Sequence, residues 1–247
     1  MPTALKNCAR VSRNRQASRQ LHLHLSAPLP PQQVVLSMPE NKKQLICLVS
    51  SALIKEVSSR QQNGELRTKL ILLSGEPCPI EVDKGLPVER DDMRTTHEEA
   101  DLSIARFCML FAENGLQTIN VICDGTDVFV LLLHFYHVRS MSCKLLMQPT
   151  SPSRSLIDIG ATANQYAAII PHLMSAHVLS GCDTVAYMWG IGKGKVLKEL
   201  AKGAEFKHFG VHGADTKAAV YEAAKFSVRL YGQEKATDMS QARHQVS

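Results

Sequence analysis

Short apolar runs alternate with helix-forming segments through most of the chain, and this alternation limits the folds that it can adopt. Apolar residues at three- and four-residue steps predict helices, whereas short continuous apolar runs predict buried strands. The predicted helices cover 41–60, 96–115, 126–137, 164–181, 194–203 and 216–232. The predicted strands cover 68–75, 116–123, 142–148 and 155–160. The pattern indicates an α/β fold with a mostly parallel central sheet and helices on both faces.

The first 38 residues differ from the rest because they carry one lysine and four arginines but no acidic residue. They include the proline-containing stretch SAPLPPQQ, which suits an extended linker. An arginine-rich, acid-free beginning is also typical of a mitochondrial transit peptide. No amphipathic face is evident, so we favour a basic disordered flank at 1–38. One folded domain at 39–235 and a tail at 236–247 are expected to follow.

The seven cysteines are odd in number, scattered and never spaced as C-x-x-C, which argues against a disulfide framework or a zinc site. The longest apolar runs, such as Val128–Leu133, are far shorter than the roughly 20 residues of a membrane span. The net charge of +5 is compatible with a nucleic-acid partner. We therefore expect an intracellular protein, with the nucleus favoured over the mitochondrion, that has no membrane segment and no disulfide-linked partner.

Acidic residues cluster at the ends of three predicted elements, in the kind of position where α/β sheets bind their ligands. They are Glu98, Glu99 and Asp101 in a first helical turn, Asp124 and Asp127 after a strand, and Asp183 after a helix. Gathered carboxylates repel each other unless a cation lies between them, and Mg²⁺ and Mn²⁺ prefer oxygen ligands. Together the groups indicate a divalent-metal site, although each alone has an ordinary interpretation as a helix start, a turn or a cap.

A glycine turn and a lysine-bearing helix follow the last of these aspartates, in the stretch WGIGKGKVLKEL. Backbone N–H groups in such a turn can face a phosphate at the start of a helix. The residues predicted to bind nucleic acid are Gly190, Gly192, Lys193, Gly194, Lys195 and Lys198. A plain turn followed by a solvated lysine face is the alternative. Tyr187 and Trp189 precede the turn, and we expect them to pack in the core, although either ring could stack on a base.

The order of these motifs resembles that of the PIN-like nucleases, and it looks closest to their flap-endonuclease and XPG-like branch. The features are an E-x-D helix start, a strand that ends in an aspartate pair, then LSGCD and then GIGKGKVLKEL. The longer run from NKKQLI through ERDDMRTTHEEAD to GCDT is similar to a multicopy, transposon-associated animal family of that type. The resemblance covers roughly residues 38 to 235 and implies a three-layer PIN-like domain, followed by a glycine-turn helical region.

The resemblance also implies phosphodiester hydrolysis that depends on Mg²⁺ or Mn²⁺, with DNA favoured as the substrate. The positions that match the family's catalytic carboxylates are Glu99, Asp101, Asp127 and Asp183. Glu98 is kept as a further metal ligand because residues three apart on a helix face each other, as Glu98 and Asp101 do. Asp124 is kept as well, although it lies one residue before the family's position.

Two departures from the family's pattern lead us to expect that catalysis is impaired or lost. Gly125 stands where the family has the first aspartate of its strand-end pair. The family also has an aspartate on a first strand, but residues 1–39 contain no acidic residue, so we expect that strand to be missing. The alternatives are a non-catalytic nucleic-acid-binding module and a truncated, transposon-derived product without activity.

Overall fold

The computed structural model describes residues 20–26, 28, 30–73, 78–95, 100–183 and 185–232. The chain divides into two compact units, Met1–Glu98 and Glu99–Ser247, and its fold is mixed α/β. The predicted domain at 39–235 therefore includes parts of both units. Half of the predicted basic flank, at 1–19, and the predicted tail at 236–247 lie outside the described residues.

The described part of the first unit contains two α-helices, α1 at Gln32–Leu36 and α2 at Pro39–Gln62, and a 3-10 helix at Asp91–Met93. Proline opens α2, where its missing N–H costs no hydrogen bond. The sequence prediction of α2 is confirmed. The helix α1, however, lies inside the predicted disordered flank and buries Val35. A single helical turn is too short to show the apolar periodicity on which the prediction depends.

Three short strands of the same unit form an antiparallel sheet: β1 at Leu70–Leu72, β2 at Ile80–Asp83 and β3 at Leu86–Glu89. A two-residue turn joins β2 to β3, and its residues Lys84 and Gly85 have positive φ angles of 51° and 80°. Turns of this kind match the twist of the strands that they connect. The sequence prediction contains β1 but neither strand of this hairpin.

The second unit has a mixed three-stranded sheet in the order β4–β5–β6. Strand β4 at Thr118–Ile122 pairs in parallel with β5 at Lys144–Gln148, and β6 at Ile157–Asp158 pairs antiparallel with β5. Alternate residues of β4 and β5 are buried, so the sheet presents one apolar face to the core. The buried positions are Ile119, Val121, Leu145 and Met147.

Six α-helices belong to the described part of the second unit. They are α3 at Ala100–Glu113, α4 at Thr126–Val138, α5 at Ile159–Gln165, α6 at Ile170–Leu179, α7 at Lys193–Ala201 and α8 at Thr216–Leu230. Helix α4 connects the two parallel strands and packs against α3, α5 and α6. The sequence predicts one helix where α5 ends and α6 follows. Pro171 lies in the first turn of α6, where a proline can start a helix but cannot continue one.

The described strands do not form the mostly parallel sheet, covered on both faces, that the sequence predicts. Among them, β4 and β5 make the only parallel pair. The side chains of Thr118, Asn120 and Ile122 are exposed, so one face of β4 is not covered by a helix. Apolar runs indicate burial but not strand direction, which turns such as Lys84–Gly85 decide.

None of the helices in the described part of the chain combines the length and the apolar character that a membrane crossing requires. The six cysteines in that part are free thiols. Burial raises the pKa of the Cys108 thiol to about 11, so this residue stays protonated and packs as a small apolar side chain.

Candidate metal centre

Three aspartate carboxylates of the second unit come together at one point. One oxygen atom from each of Asp101, Asp127 and Asp183 lies within 4.8 Å of the other two. Asp101 and Asp127 are half-buried, whereas Asp183 is exposed. Carboxylate oxygens gathered around a common point suit a hard divalent cation. Glu98 and Glu99, two other predicted ligands, lie outside the described residues.

Two helix starts position the first two carboxylates. Asp101 lies in the first turn of α3, and Asp127 lies in the first turn of α4. The N-terminus of a helix carries a partial positive charge, which favours acidic side chains there. Gly125 is the N-cap of α4, and among the described residues no side chain caps that helix end. The packing of α3 against α4 then brings their two first turns together.

A tight turn after α6 holds Asp183. Gly181 precedes it with a φ angle of 106°, a conformation that glycine adopts without strain. Backbone hydrogen bonds join Cys182 and Val185 in both directions and close the turn that carries Asp183. The backbone N–H of Asp183 also donates to Oδ2 of Asp127 at 3.4 Å. The turn therefore places Asp183 directly beside Asp127.

A buried histidine supports the central carboxylate. His177 on α6 is 7% exposed, and its Nε2 atom lies 2.8 Å from Oδ1 of Asp127. Partners of this kind orient the ligands of metal sites and tune their affinity. The sequence analysis misses His177, because a histidine inside an apolar helix forms no recognisable motif. Its position six residues before Asp183 is the one signal that the sequence offers.

The three carboxylates repel each other unless a positive group offsets their charge. His177 and the N-termini of α3 and α4 offset part of this repulsion. A divalent cation between the carboxylates would offset it further, and a donor set made of carboxylates fits Mg²⁺ or Mn²⁺.

Asp124 does not join the three converging carboxylates, although it is only three residues from Asp127. Its carboxylate accepts a hydrogen bond from the backbone N–H of Thr150 at 3.3 Å and another from the Thr150 hydroxyl. Nη1 of Arg154 lies 3.4 Å from the same carboxylate. Asp124 therefore joins the end of β4 to the segment after β5 and is not one of the three converging carboxylates.

Lys193 opens α7, and its ammonium group is bound inside the protein. It donates to the backbone oxygen of His177 at 3.1 Å, to Oγ of Ser180 at 2.9 Å and to the backbone oxygen of Gly181. These atoms lie at and just beyond the C-terminal end of α6, where a cation is favourable. Burial lowers the pKa of the Lys193 ammonium. Lys193 therefore fastens α7 to α6, and its ammonium is already occupied by these oxygen atoms.

The other residues predicted to bind nucleic acid lie on the surface. They are Gly190, Gly192, Gly194, Lys195 and Lys198. Gly190 has a φ angle of 72°, a conformation that favours glycine at that position. Gly192 is the N-cap of α7, and no described side chain caps this helix end. The first N–H groups of α7 are therefore left for water or for an anion.

The two aromatic residues before this turn are exposed, so the expectation that they pack in the core is wrong. Tyr187 is 67% exposed and Trp189 is 86% exposed. Met188, which lies between them, packs against the core. Apolar composition alone does not tell which side chains of an irregular segment point inward.

No match to this chain was found among models of known protein families, among curated proteins or among solved structures. The resemblance to the PIN-like nucleases therefore rests on the order of motifs in the sequence alone. The convergence of the three carboxylates is an independent observation, since it depends on how α3, α4 and α6 pack.

Proposed function

We propose that the second unit is a divalent-metal-dependent phosphodiesterase that acts on nucleic acid, with DNA favoured. The observation that carries the proposal is the convergence of Asp101, Asp127 and Asp183 within 4.8 Å. A donor set made only of carboxylates favours Mg²⁺ or Mn²⁺, whereas zinc prefers nitrogen and sulfur ligands. The order of the sequence motifs supports the same class of enzyme.

The proposal includes a reduced form of the PIN-like fold. Strand β4, helix α4 and strand β5 make a parallel β–α–β unit whose strands end near the predicted ligands. Molecules that bind to α/β sheets lie outside the carboxyl ends of the strands. Asp127, which follows the carboxyl end of β4, is placed to contact an ion bound there. In this interpretation the fold has been reduced at β4, which has an exposed face and pairs with only one other strand in the described part of the chain.

Among the residues that the structure describes, the donor set suits one ion. Two-metal nucleases hold two ions about 4 Å apart and need carboxylates for both. Of the further predicted ligands, Asp124 is occupied by Thr150 and Arg154, whereas Glu98 and Glu99 lie outside the described residues. Position 125, where the family has an aspartate, is a glycine without a carboxylate. We therefore expect slow hydrolysis, because a single ion cannot stabilise both the attacking and the leaving oxygen.

The residues of this chain would then have separate roles. The three aspartates hold the ion, which acts as a Lewis acid on the phosphodiester when it is bound. His177 keeps the carboxylate of Asp127 oriented. Lys195, Lys198 and the first N–H groups of α7 bind the phosphates of the strand.

A calorimetric titration of the full chain with Mn²⁺ tests this proposal. We expect one ion per chain and a loss of affinity of tenfold or more in Asp183→Asn, which removes a ligand charge but keeps the size of the side chain. Glu113→Gln is the matched control, because it removes an exposed acid from the far end of α3. The same proteins are then incubated with single-stranded DNA, branched DNA and RNA in Mn²⁺.

Each outcome has a distinct meaning. A folded chain that binds no Mn²⁺ would overturn the metal centre. Binding that Asp183→Asn leaves unchanged would place the ion elsewhere. A metal-loaded chain that cleaves none of the nucleic acids would overturn hydrolysis and favour a non-catalytic binding module, whose affinity for nucleic acid would fall with salt and would not depend on metal.

A further inference from the structure

Two exposed aromatic rings lie on the segment that connects Asp183 to α7. Trp189 is 86% exposed and Tyr187 is 67% exposed. Met188 and Ile191 pack against the core and hold the segment in place. The two large rings therefore remain in solvent, next to residues that fix the position of the segment.

Tyr187 is held firmly in its exposed position. A Cβ atom added to Gly181 would lie 2.5 Å from Cα of Tyr187 and 2.7 Å from its ring, so position 181 must be glycine. The ammonium of Lys193 lies 5.8 Å from the ring centroid, and three oxygen atoms hold that ammonium in turn. The ring is therefore supported by the protein on one side, while most of its surface stays open to solvent.

We propose that Tyr187 and Trp189 form a stacking platform for the bases of an unpaired nucleic-acid strand. Residues two apart have Cα atoms within about 7 Å, so the two rings can contact neighbouring bases. A duplex hides the faces of its bases, whereas a single strand offers them to aromatic side chains. This inference rests on the proposed function, because it names the kind of strand that the metal centre would receive.

The charge around the rings favours nucleic acid over a protein partner. Three lysines occur from Val185 to Lys198, between Asp183 of the carboxylate cluster and Glu199, which is buried and paired with Lys202 and Arg229. Two of them, Lys195 and Lys198, are exposed on α7. Cations beside aromatic rings bind a strand through its phosphates while the rings stack on its bases. Two separate rings also offer much less area than the roughly 800 Å² per partner of a stable protein interface.

The chain contains a single tryptophan, so its intrinsic fluorescence reports directly on the platform. The full chain is titrated, without divalent metal and at fixed low salt, with an oligothymidylate of about 12 nucleotides. An abasic oligonucleotide and a duplex of the same length are the comparison ligands. We expect quenching by the oligothymidylate and an affinity at least about tenfold higher than for either comparison ligand, since stacking acts on each base.

Substitutions of the two rings separate stacking from charge. Trp189→Ala and Tyr187→Ala should each weaken binding of a labelled oligothymidylate about tenfold, measured by fluorescence anisotropy. Trp189→Phe keeps an aromatic face and should stay within about threefold of the wild type. Tyr221→Ala is the matched control, because Tyr221 is 68% exposed on α8, away from this segment, and we expect no change.

Equal affinity for the oligothymidylate and the abasic strand would overturn the platform and leave binding through phosphates alone. Equal affinity for the duplex, or no affinity for any of the three ligands, would also overturn it. Self-association of the wild type that disappears in Trp189→Ala, without oligonucleotide binding, would identify a second copy as the occupant. The proposed function can fail while the platform stands. A chain that binds the oligothymidylate as expected but binds no Mn²⁺ would overturn only the metal centre.

Discussion

The second unit contains two regions that hold acidic side chains in very different ways. On α8, Glu222 accepts hydrogen bonds from the backbone N–H groups of Lys207, His208 and Phe209. Nδ1 of His208 also lies 2.7 Å from Oε1 of Glu222. At the candidate metal centre, one oxygen atom from each of three carboxylates instead lies within 4.8 Å of the other two. Several hydrogen-bond donors surround the single charge of Glu222, whereas the three aspartates bring like charges close to one another.

The difference separates a structural carboxylate from candidate metal ligands. Desolvation raises the pKa of Glu222, but the hydrogen bonds from His208 and from the backbone outweigh it and bring the pKa to about 2. Such a carboxylate adds to the free energy of unfolding. A cluster of like charges lowers that free energy, and arrangements of this kind occur at functional sites where a ligand compensates for them.

The largest expected effect is the loss of Mn²⁺ affinity that Asp127→Asn should cause. The substitution keeps the size of the side chain and removes the charge, so Mn²⁺ affinity should fall on the order of 100-fold or more. The melting temperature without metal should change little, because weaker repulsion offsets the altered contact with His177. Calorimetry and thermal unfolding measure the two quantities. Unchanged Mn²⁺ affinity would show that Asp127 is not a ligand.

The opposite pattern is expected for Glu222→Gln, which should lower the free energy of unfolding at neutral pH by about 2 kcal/mol. The reason is the loss of a charged acceptor for several donors. Mn²⁺ affinity should stay at the wild-type value. Urea unfolding and Mn²⁺ calorimetry test both statements, and a fall in metal affinity would remove the distinction between the two regions.

The difference in unfolding free energy between the wild type and Glu222→Gln should decrease as the pH falls. The pKa of Glu222 is lower in the folded chain, at about 2, than its ordinary value of 4.5. Its stabilising contribution is therefore present above pH 4.5 and is lost as the pH falls towards 2. Unfolding free energies of the wild type and Glu222→Gln should differ at neutral pH and converge in acid. A difference that stays constant across this range would contradict the assigned cause.

A smaller effect is expected from His177, which contacts a ligand but does not itself belong to the three carboxylates. His177→Ala should lower Mn²⁺ affinity about tenfold, because Asp127 loses the partner that orients it. His177→Gln offers a new N–H donor and should recover part of that loss. If the two variants bind Mn²⁺ equally, the loss reflects general loosening of α6 rather than the missing hydrogen bond.

The smallest effect is expected from Asp124→Asn, although Asp124 and Asp127 look like a pair in the sequence. An exposed ion pair such as Asp124–Arg154 contributes roughly 1 kcal/mol or less to stability. Mn²⁺ affinity should remain within about twofold of the wild type, because this carboxylate lies outside the metal centre. A loss as large as that in Asp127→Asn would show that both aspartates bind the ion.

Local sequence pattern was sufficient for the long helices and for the parallel strands. The periodicity of α2, α3 and α8 extends over several turns, and the apolar runs of β4 and β5 are bounded by turn residues. The β2–β3 hairpin was not predicted, because each strand has only four residues and β3 is exposed along its whole length. Short elements of this kind contain too few residues for a period to be recognised.

The sequence by itself determined the long helices, the glycine turn and the acidic residues that a metal centre needs. Only the tertiary structure decided that Asp127 joins Asp101 and Asp183 while Asp124 turns to Thr150. It also decided that His177 is buried and Trp189 is exposed. The physical reason is range: periodicity and turns depend on residues a few positions apart, whereas these choices depend on the packing of α3, α4 and α6, which are distant in the chain.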